Sequence, residues 1–199
     1  MFGFGQLIGI LKKNPKKIVF TEGEDPRILE ASSRLLASYF LHPILIGDEK
    51  RIADAAEESG FNIRGAEIID PEKFDKIDEM VELYCELRKK KGVTPDQARE
   101  VLKQANYFGT MLVKMGFADA LLGGATYSTA DTVRPALQLI KTKPGNNLVS
   151  SCFILVRPSA TGDNEVLAMG DCAININPTE DDLVEIAGET AKCARIFDV

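Results

Sequence analysis

Residues 116–140, GFADALLGGATYSTADTVRPALQLI, decide the predicted fold of this chain. The short apolar run at 118–122 is typical of a buried strand, and the two glycines that follow it mark a turn. Ser128 or Thr129 can then cap a helix that begins near Ala130, because a hydroxyl before a helix accepts a free N–H. The stretch therefore predicts a strand, a glycine-rich turn and the opening of a helix.

The start of this predicted helix suits an anion. Arg134 lies about one turn into the helix and can project back over its N-terminus. Free N–H groups and the positive end of the helix dipole favour a phosphate or carboxylate there, and an arginine adds a bidentate donor. An exposed arginine beside a routine cap explains the same spacing, so both interpretations stay open. The sequence contains neither GxGxxG nor GxxxxGK[ST], so no nucleotide motif supports a nucleotide ligand.

Apolar runs and helical periods alternate through the first part of the chain. Strands are predicted at 17–20, 43–47 and 66–69, and the longest helical segment covers 73–91. Such alternation predicts βαβ units, a mainly parallel sheet and an α/β fold with three α/β/α layers. Ligands of such sheets lie beyond the carboxyl ends of the strands. Further helices are predicted at 6–13, 26–40, 49–59, 95–105, 107–115 and 179–197.

The character of the chain changes at the polar segment KTKPGNN, residues 141–147. We therefore expect a first α/β domain at 1–144 and the start of a second α/β domain at 145–199. Strands predicted at 148–156 and 165–174 are joined by a polar link, which favours an antiparallel hairpin before the last helix. Two strands and a helix do not close a core of their own, so the second domain is expected to be incomplete.

Composition narrows the classes of partner. The 199 residues carry a net charge of −6, which argues against a nucleic-acid or anionic-membrane surface. No apolar run approaches the roughly 18 residues that a membrane span needs, and the N-terminus is apolar before it is basic, the reverse of a secretory signal. The four cysteines form no CxxC pair, so neither a metal site nor a disulfide framework is expected, and a reducing cytoplasm is the simplest setting.

Two further charged groups allow more than one interpretation. Arg88 begins the basic run RKKK at the end of the long predicted helix. The run is typical of a C-terminal turn that complements the helix dipole, and it also fits a second phosphate donor. Glu22, Glu24 and Asp25 follow the first strand; they fit metal or acid–base chemistry, but a solvated helix N-terminus explains them more simply.

Several longer motifs resemble the phosphate acetyltransferase (phosphotransacetylase) family. They are GFADALLGGATYSTADTVRPALQLIKTKPG, SSCFILV and GDCAININPT, and IVFTEGEDPRILEAS, ELRKKKG and NYFGTMLVKMG agree in order and spacing. The resemblance covers essentially the whole chain. STADTVRP and DCAININP are specific to the phosphate acetyl/butyryltransferase group, and the rest favours the acetyl member. Two departures are Gly170, where alanine is expected, and Ile176, where proline is usual.

The resemblance implies an isocitrate/isopropylmalate dehydrogenase-like fold and a reaction between acetyl phosphate and coenzyme A. The CoA thiolate attacks the acetyl group directly and phosphate leaves, without a metal, a cofactor or an acyl-enzyme; CoA is a substrate. Arg134 matches the family's arginine on the phosphoryl group, and Arg88 resembles the arginine of the opposing wall. Ser128 and Thr129 would add hydroxyl and backbone donors to the same anion.

The resemblance also implies that this chain is the N-terminal part, a little over half, of such an enzyme. The family's catalytic serine, arginine and aspartate are then expected beyond Val199, and the chain alone would be inactive. The intact enzyme is expected to be a cytoplasmic homodimer that binds CoA, acetyl phosphate and phosphate, but neither nucleic acid nor membrane. The alternatives are a butyryltransferase-type enzyme and a non-catalytic anion-binding domain.

Overall fold

The computed structural model describes residues 4–158, 164–172, 174–197 and 199. Its helices are α1 (Phe4–Lys13), α2 (Pro26–Ser38), α3 (Glu49–Ser59), α4 (Ile77–Leu87), α5 (Pro95–Leu102), α6 (Ala105–Lys114), α7 (Thr129–Pro135) and α8 (Glu180–Ile196). Its strands are β1 (Lys16–Phe20), β2 (Leu41–Ile46), β3 (Glu67–Ile69), β4 (Ala120–Leu122), β5 (Cys152–Pro158) and β6 (Asn164–Gly170). The chain divides into two compact units, residues 8–141 and residues 142–199, and the second also includes the start of α1.

A parallel sheet with the strand order β3-β2-β1-β4 forms the centre of residues 8–141. Phe20, the last residue of β1, pairs with Leu45 on one side and with Leu122 on the other. The carboxyl ends of β1, β2 and β4 therefore meet at one edge of the sheet. This confirms the predicted α/β fold with a mainly parallel sheet, and it brings the segments after β1 and β4 together.

Helices cover both faces of this sheet. Successive side chains of a strand point to opposite faces. Val19 and Ile44 accordingly belong to a core built with α4, α5 and α6, whereas Phe20 and Leu45 belong to a second core built with α2 and α3. All four side chains are buried, as expected for a parallel sheet with helices on each side. The three-layer arrangement follows from this double burial.

Local capping chemistry sets many of the helix ends. Asp25 and Asp48 accept N–H groups from the first turns of α2 and α3. Thr94 and Gln97 form a reciprocal capping box at the start of α5. Gly60 ends α3 with a φ of 73°, a conformation that glycine adopts without steric cost. The predicted bounds of α3, 49–59, are confirmed for this reason.

The helix predicted over 73–91 is shorter than expected, since α4 covers only the central part of that segment. Its predicted first turns are instead turns of the chain, in which Phe74 packs edge-to-face against Phe108 and Phe117 at 5.3 and 5.6 Å. At the other end Arg88 leaves the helical conformation with a φ of −106°, and the lysines after it form a short 3₁₀ turn. Tertiary packing at one end and backbone geometry at the other override the helical pattern.

In residues 142–199, β5 and β6 form the predicted antiparallel hairpin, and α8 packs mainly against β6. The strands pair from Cys152 opposite Gly170 to Pro158 opposite Asn164. The central part of the predicted link, 159–163, lies outside the described residues. Both strands differ from their predicted limits, because the chain before β5 and after β6 is held by Asp171 rather than by strand pairing.

Candidate functional site

The turns after β1 and β4 lie side by side, as the parallel sheet requires. Gly123 lies so close to the β1 side that a Cβ atom on it would come within 2.6 Å of the Thr21 hydroxyl oxygen. Gly124 has a φ of 114°, which L side chains rarely adopt. The glycine pair is therefore required at both positions, once for close approach and once for backbone conformation.

The carboxylate of Glu22 occupies the amides of the glycine-rich turn. Its Oε2 accepts the N–H groups of Gly124 at 3.0 Å and Ala125 at 3.1 Å. Its Oε1 accepts the N–H groups of Thr126 and Tyr127, the latter at 3.2 Å, and the Thr126 hydroxyl at 2.8 Å. The amides of the turn before the predicted anion site are thus already occupied by an anionic group of the chain itself.

Glu22 is buried, and its interpretation as part of a solvated helix N-terminus is wrong. Burial alone raises the pKa of this carboxyl, but the hydrogen bonds from Thr126, Gly124 and Ala125 outweigh it and lower the pKa. Asp25, in contrast, does belong to a helix N-terminus, because it caps α2. Sequence reasoning missed the role of Glu22, although its place directly after a strand of a parallel sheet was an available signal.

Ser128, and not Thr129, is the cap of α7. Its hydroxyl oxygen accepts the N–H of Asp131 at 3.2 Å, and its O–H donates to the Asp131 carboxylate at 2.6 Å. That hydroxyl is the main cause of a lowered pKa of Asp131, to which the positive charge of Arg134 also contributes. Ser128, Thr129 and Arg134 are all exposed on this short helix.

Helix α6 fixes the other side of α7. The Asn106 side-chain amide donates to the backbone carbonyl of Asp131 at 2.7 Å. The Tyr107 hydroxyl donates to Gln138 at 3.2 Å, in the π-helical turn Ala136–Ile140 that continues α7. These contacts, which the sequence did not indicate, hold the helix that carries Arg134 against the core.

Arg88 lies in the same unit, at the end of α4. It is half-buried, and its Nε is buried without a hydrogen-bond partner among the described residues. Burial raises the pKa of Tyr84, and the positive charge of Arg88 partly offsets this rise. The Tyr84 ring packs against that of Tyr107 with 6.4 Å between the centroids. Tyr107 in turn contacts Gln138, four residues after Arg134. The surroundings of the two arginines are therefore connected through a pair of tyrosines, and their roles stay predictions.

Comparison with known proteins identifies the family. Residues 4–199 match the model of the phosphate acetyl/butaryl transferase family. The chain belongs to this family. It is 49% identical over 183 residues to the phosphate acetyltransferase of Bacillus subtilis, an alignment that covers 92% of this chain and 55% of that protein. It is 42% identical to the phosphate acetyltransferase of Nitratidesulfovibrio vulgaris, over 100% of this chain and 27% of the relative.

Solved structures of the same kind share the fold. The EutD phosphotransacetylase from Staphylococcus aureus aligns with a TM-score of 0.86 and 42% identity, over 98% of this chain and 59% of that one. A phosphotransacetylase from Streptococcus pyogenes aligns with a TM-score of 0.87 and 43% identity, over 99% and 60%. The chain thus spans a little over half the length of these structures, and the predicted family membership is confirmed.

A second anchored turn of this family member follows β6. Asp171 accepts the N–H groups of Ser151 at 2.7 Å, Ile174 at 3.2 Å and Asn175 at 2.6 Å, together with the Ser151 hydroxyl. Burial raises the pKa of Asp171, but the Ser151 hydroxyl and these backbone donors outweigh it and hold the pKa far below the usual range. The carboxylate therefore ties the ends of both hairpin strands together.

A glycine at position 170, where the family resemblance predicts alanine, has a packing reason. A Cβ atom at Gly170 would lie 2.1 Å from the Thr190 hydroxyl oxygen and 3.0 Å from the Ser151 carbonyl oxygen. Separations below 3.0 Å leave no room for a side chain, so α8 approaches the hairpin as closely as it does only because residue 170 is glycine.

A cavity of about 750 Å³ opens at the same edge of the parallel sheet. Arg51 in its lining is paired with Glu24 at 2.6 Å, and Lys73 is paired with Asp70 and Asp48 at 2.8 and 3.2 Å. Neither Arg134 nor Arg88 lines it, and acidic residues outnumber basic ones. An anionic substrate is therefore not expected there. The ionisable lining residues are Glu22, Glu24, Asp25, Asp48, Asp70, Glu72, Arg51, Lys73, Lys103 and Tyr127.

The described residues contain neither a membrane-spanning helix nor a cluster of metal ligands. None of the helices in that part of the chain is long and apolar enough to cross a membrane. In the same residues no group of three or more His, Cys, Asp or Glu side chains is arranged to hold a metal ion.

Proposed function

We propose that the protein carrying this chain is a phosphate acetyltransferase, which interconverts acetyl-CoA and phosphate with CoA and acetyl phosphate. The observation that carries the proposal is Arg134, exposed on a capped helix at the carboxyl edge of a parallel sheet. An arginine there offers two parallel donors and a permanent positive charge to a phosphoryl group. The 49% identity to the Bacillus subtilis phosphate acetyltransferase supports the same reaction.

In the proposed reaction the CoA thiolate attacks the carbonyl carbon of acetyl phosphate. A carbon–sulfur bond forms, the carbon–oxygen bond to phosphate breaks, and phosphate leaves with the electron pair. Arg134 holds the phosphoryl group and offsets the charge that develops on it, with Arg88 as a second cation and Thr129 as a hydroxyl donor. Ser128, whose O–H is donated to Asp131, supports this site as the cap of α7. We assign the base that takes the thiol proton to none of the described residues.

The proposal extends to partners and setting. CoA, acetyl phosphate and phosphate are the small-molecule substrates, and no metal ion or prosthetic group takes part. We propose a homodimer and a cytoplasmic location for the intact protein. The net charge of −6 supports the absence of a nucleic-acid partner, because such surfaces are usually basic.

A butyryltransferase-type activity is the second candidate, because the matching family model covers both acyl groups. Acyl length is read by pocket volume, and one methylene changes the discrimination by about 1–3 kcal/mol. Rates with acetyl, propionyl and butyryl phosphate, measured on the native protein from its source, decide between the two. If the protein is a phosphate acetyltransferase, kcat/KM should be highest for acetyl phosphate. A maximum at butyryl phosphate contradicts this proposal.

The function itself is tested by thiol release from acetyl-CoA. With the native protein, release of free CoA should require added phosphate and should yield acetyl phosphate in equal amount. The 199-residue chain alone is expected to bind phosphate without such turnover. If the native protein also binds phosphate but releases no thiol, the non-catalytic anion-binding domain is the correct function and the enzyme proposal fails.

A further inference from the structure

Glu22 makes a set of contacts that an ordinary surface carboxylate does not make. Its two oxygens accept the consecutive N–H groups of Gly124, Ala125, Thr126 and Tyr127 and the Thr126 hydroxyl. An ionised carboxylate offers about four acceptor sites, so these donors use its full capacity. Such charge-assisted hydrogen bonds are stronger than those between neutral groups. They therefore hold the turns after β1 and β4 strongly together.

The neighbouring acidic residues show that this role is specific to Glu22. Glu24 pairs with Arg51 through an exposed contact of 2.6 Å, and Asp25 caps its own helix. Both act within the β1–α3 part of the chain. Glu22 instead reaches residues that lie 102 to 105 positions further along the sequence. Its carboxylate therefore joins the ends of two neighbouring strands.

A second contact holds the same turn from the other side. The Arg27 guanidinium donates to the backbone carbonyl of Ala125 at 2.7 Å, while Glu22 takes the N–H of that residue. Ser128, the cap of α7, follows directly after the last amide that Glu22 binds. Anything that moves the turn therefore moves the start of α7, and Arg134 lies near the end of this short helix.

We propose that Glu22 is a positioning residue for the anion-binding helix: it holds the turn at residues 124–127, and with it the Ser128 cap, so that Thr129 and Arg134 meet the phosphoryl group in one fixed orientation. The part of this inference that concerns substrate rests on the proposed function of Arg134. Because Glu22 saturates the amides of the turn, the phosphoryl group is bound by the side chains and not by those amides. The fixed negative charge of Glu22 also disfavours an anion at the turn itself.

The first experiment uses amide hydrogen exchange on this chain and needs no activity. In Glu22→Gln the side chain keeps one oxygen, and its NH₂ group faces donors, so the amides of residues 124–127 should exchange about tenfold faster or more. The matched control Glu24→Gln changes a partly exposed carboxylate of the same loop and should leave the exchange rates of these amides unchanged. The amides of α6 should keep their exchange rates in both variants. Equal exchange at 124–127 in the wild type and in Glu22→Gln overturns the proposal.

A milder variant keeps the test decisive if Glu22→Gln does not fold. Thr126→Val removes only the hydroxyl that donates to Glu22, on a residue whose side chain is exposed. Exchange at the neighbouring amides should rise in the same direction, by about threefold. An unchanged exchange rate in this variant would contradict a carboxylate that holds the turn through all its donors.

The second experiment measures kinetics on the native protein. Glu22→Gln should raise the KM for acetyl phosphate about tenfold while the KM for CoA stays within about twofold, and Glu24→Gln should change neither. A loss of kcat in proportion to lost folded protein, with both KM values unchanged, would reduce Glu22 to a stabilising residue and overturn the proposal. A wild-type protein without acetyl-phosphate turnover refutes the proposed function instead, and the exchange measurement then decides the role of Glu22 alone.

Discussion

Glu22 and Asp171 both hold turns through backbone amides, and they do so over very different distances along the sequence. Glu22 binds amides more than one hundred positions away, at separations of 102 to 105. Asp171 binds Ile174 and Asn175, three and four positions on, and also Ser151, directly before β5. The first carboxylate joins two strand ends of a parallel sheet, whereas the second closes a turn at the end of a hairpin.

The two carboxylates therefore have different expected roles: Glu22 positions a binding site, whereas Asp171 stabilises the fold. The turn held by Glu22 leads into the exposed helix that carries Arg134, so a change there should be felt in substrate binding. The turn held by Asp171 closes the β5–β6 hairpin, so a change there should be felt in stability. Both carboxyls have lowered pKa values despite burial, because hydrogen bonds stabilise the charged form.

Loss of Arg134, which follows the turn held by Glu22, should have the largest effect on activity. In the native protein, Arg134→Ala should lower kcat/KM for acetyl phosphate by about a hundredfold or more, because a charge-stabilising donor of the transition state is lost. Arg134→Lys should recover little, since an ammonium cannot replace the bidentate fork. Steady-state kinetics with CoA held in excess gives the measurement.

The matched control for this change is Arg34→Ala. Arg34 is also an exposed helical arginine, with 79% of its side chain accessible, and it pairs with Glu30 on its own helix. Its replacement should leave kcat/KM unchanged. If Arg134→Ala kept the kcat/KM of the wild type, Arg134 would have no part in the mechanism. The turn held by Glu22 would then have no functional role.

Loss of the second carboxylate should act on stability. Asp171→Asn should lower the free energy of unfolding by about 2 kcal/mol, because hydrogen bonds to a charged group are each worth about 1.5–3 kcal/mol and the amide keeps only one of the two acceptor oxygens. Urea denaturation followed by circular dichroism measures this. Asp54→Asn, on an exposed face of α3, should change it by less than about 0.5 kcal/mol. Equal stability of the two variants would refute the structural role of Asp171.

The sequence predicts what depends on local chemistry. The bounds of α3 follow from Asp48 and Gly60, and a hydroxyl cap on α7 follows from the serine and threonine before it. The order of strands and helices, and hence the parallel sheet, is also visible in the hydrophobic pattern. These features need only residues a few positions apart.

Features that depend on distant contacts could not be read in this way. The sequence pattern favours a solvated position for Glu22, because its partners lie in the turn after β4, and only the β1–β4 pairing brings them together. The helix predicted at 73–91 began too early because Phe74 packs against Phe108 and Phe117 instead of continuing a helix. The sequence spacing of Arg88 and Arg134 likewise does not determine whether they bind the same substrate.

Close packing near the second turn gives a smaller prediction. Gly170→Ala should cost about 1–3 kcal/mol of unfolding free energy, because the new methyl group overlaps the Thr190 hydroxyl. That hydroxyl has no partner among the described residues, so Thr190→Ala should cost little by itself and should relieve part of the overlap. A double-mutant cycle measured by urea unfolding should therefore show a favourable coupling of about 1 kcal/mol between the two changes. Strict additivity would show that the two residues do not touch.

Acid stability should distinguish the two carboxylates most finely. The pKa of Glu22 in the folded chain lies below its ordinary value of 4.5, so the unfolded chain takes up its proton first as the pH falls. The stabilisation by Glu22 is complete above the unfolded pKa and is lost as the pH falls through the folded pKa. As the pH falls below about 5, the wild type should therefore lose more unfolding free energy than Glu22→Gln. Asp171 starts from a lower ordinary value, 3.8, and its pKa is lowered further, so the matching difference for Asp171→Asn should appear at more acidic pH. Urea midpoints measured across this range give both curves; if each variant ran parallel to the wild type, neither carboxylate would be held in its charged form by the turn that it binds.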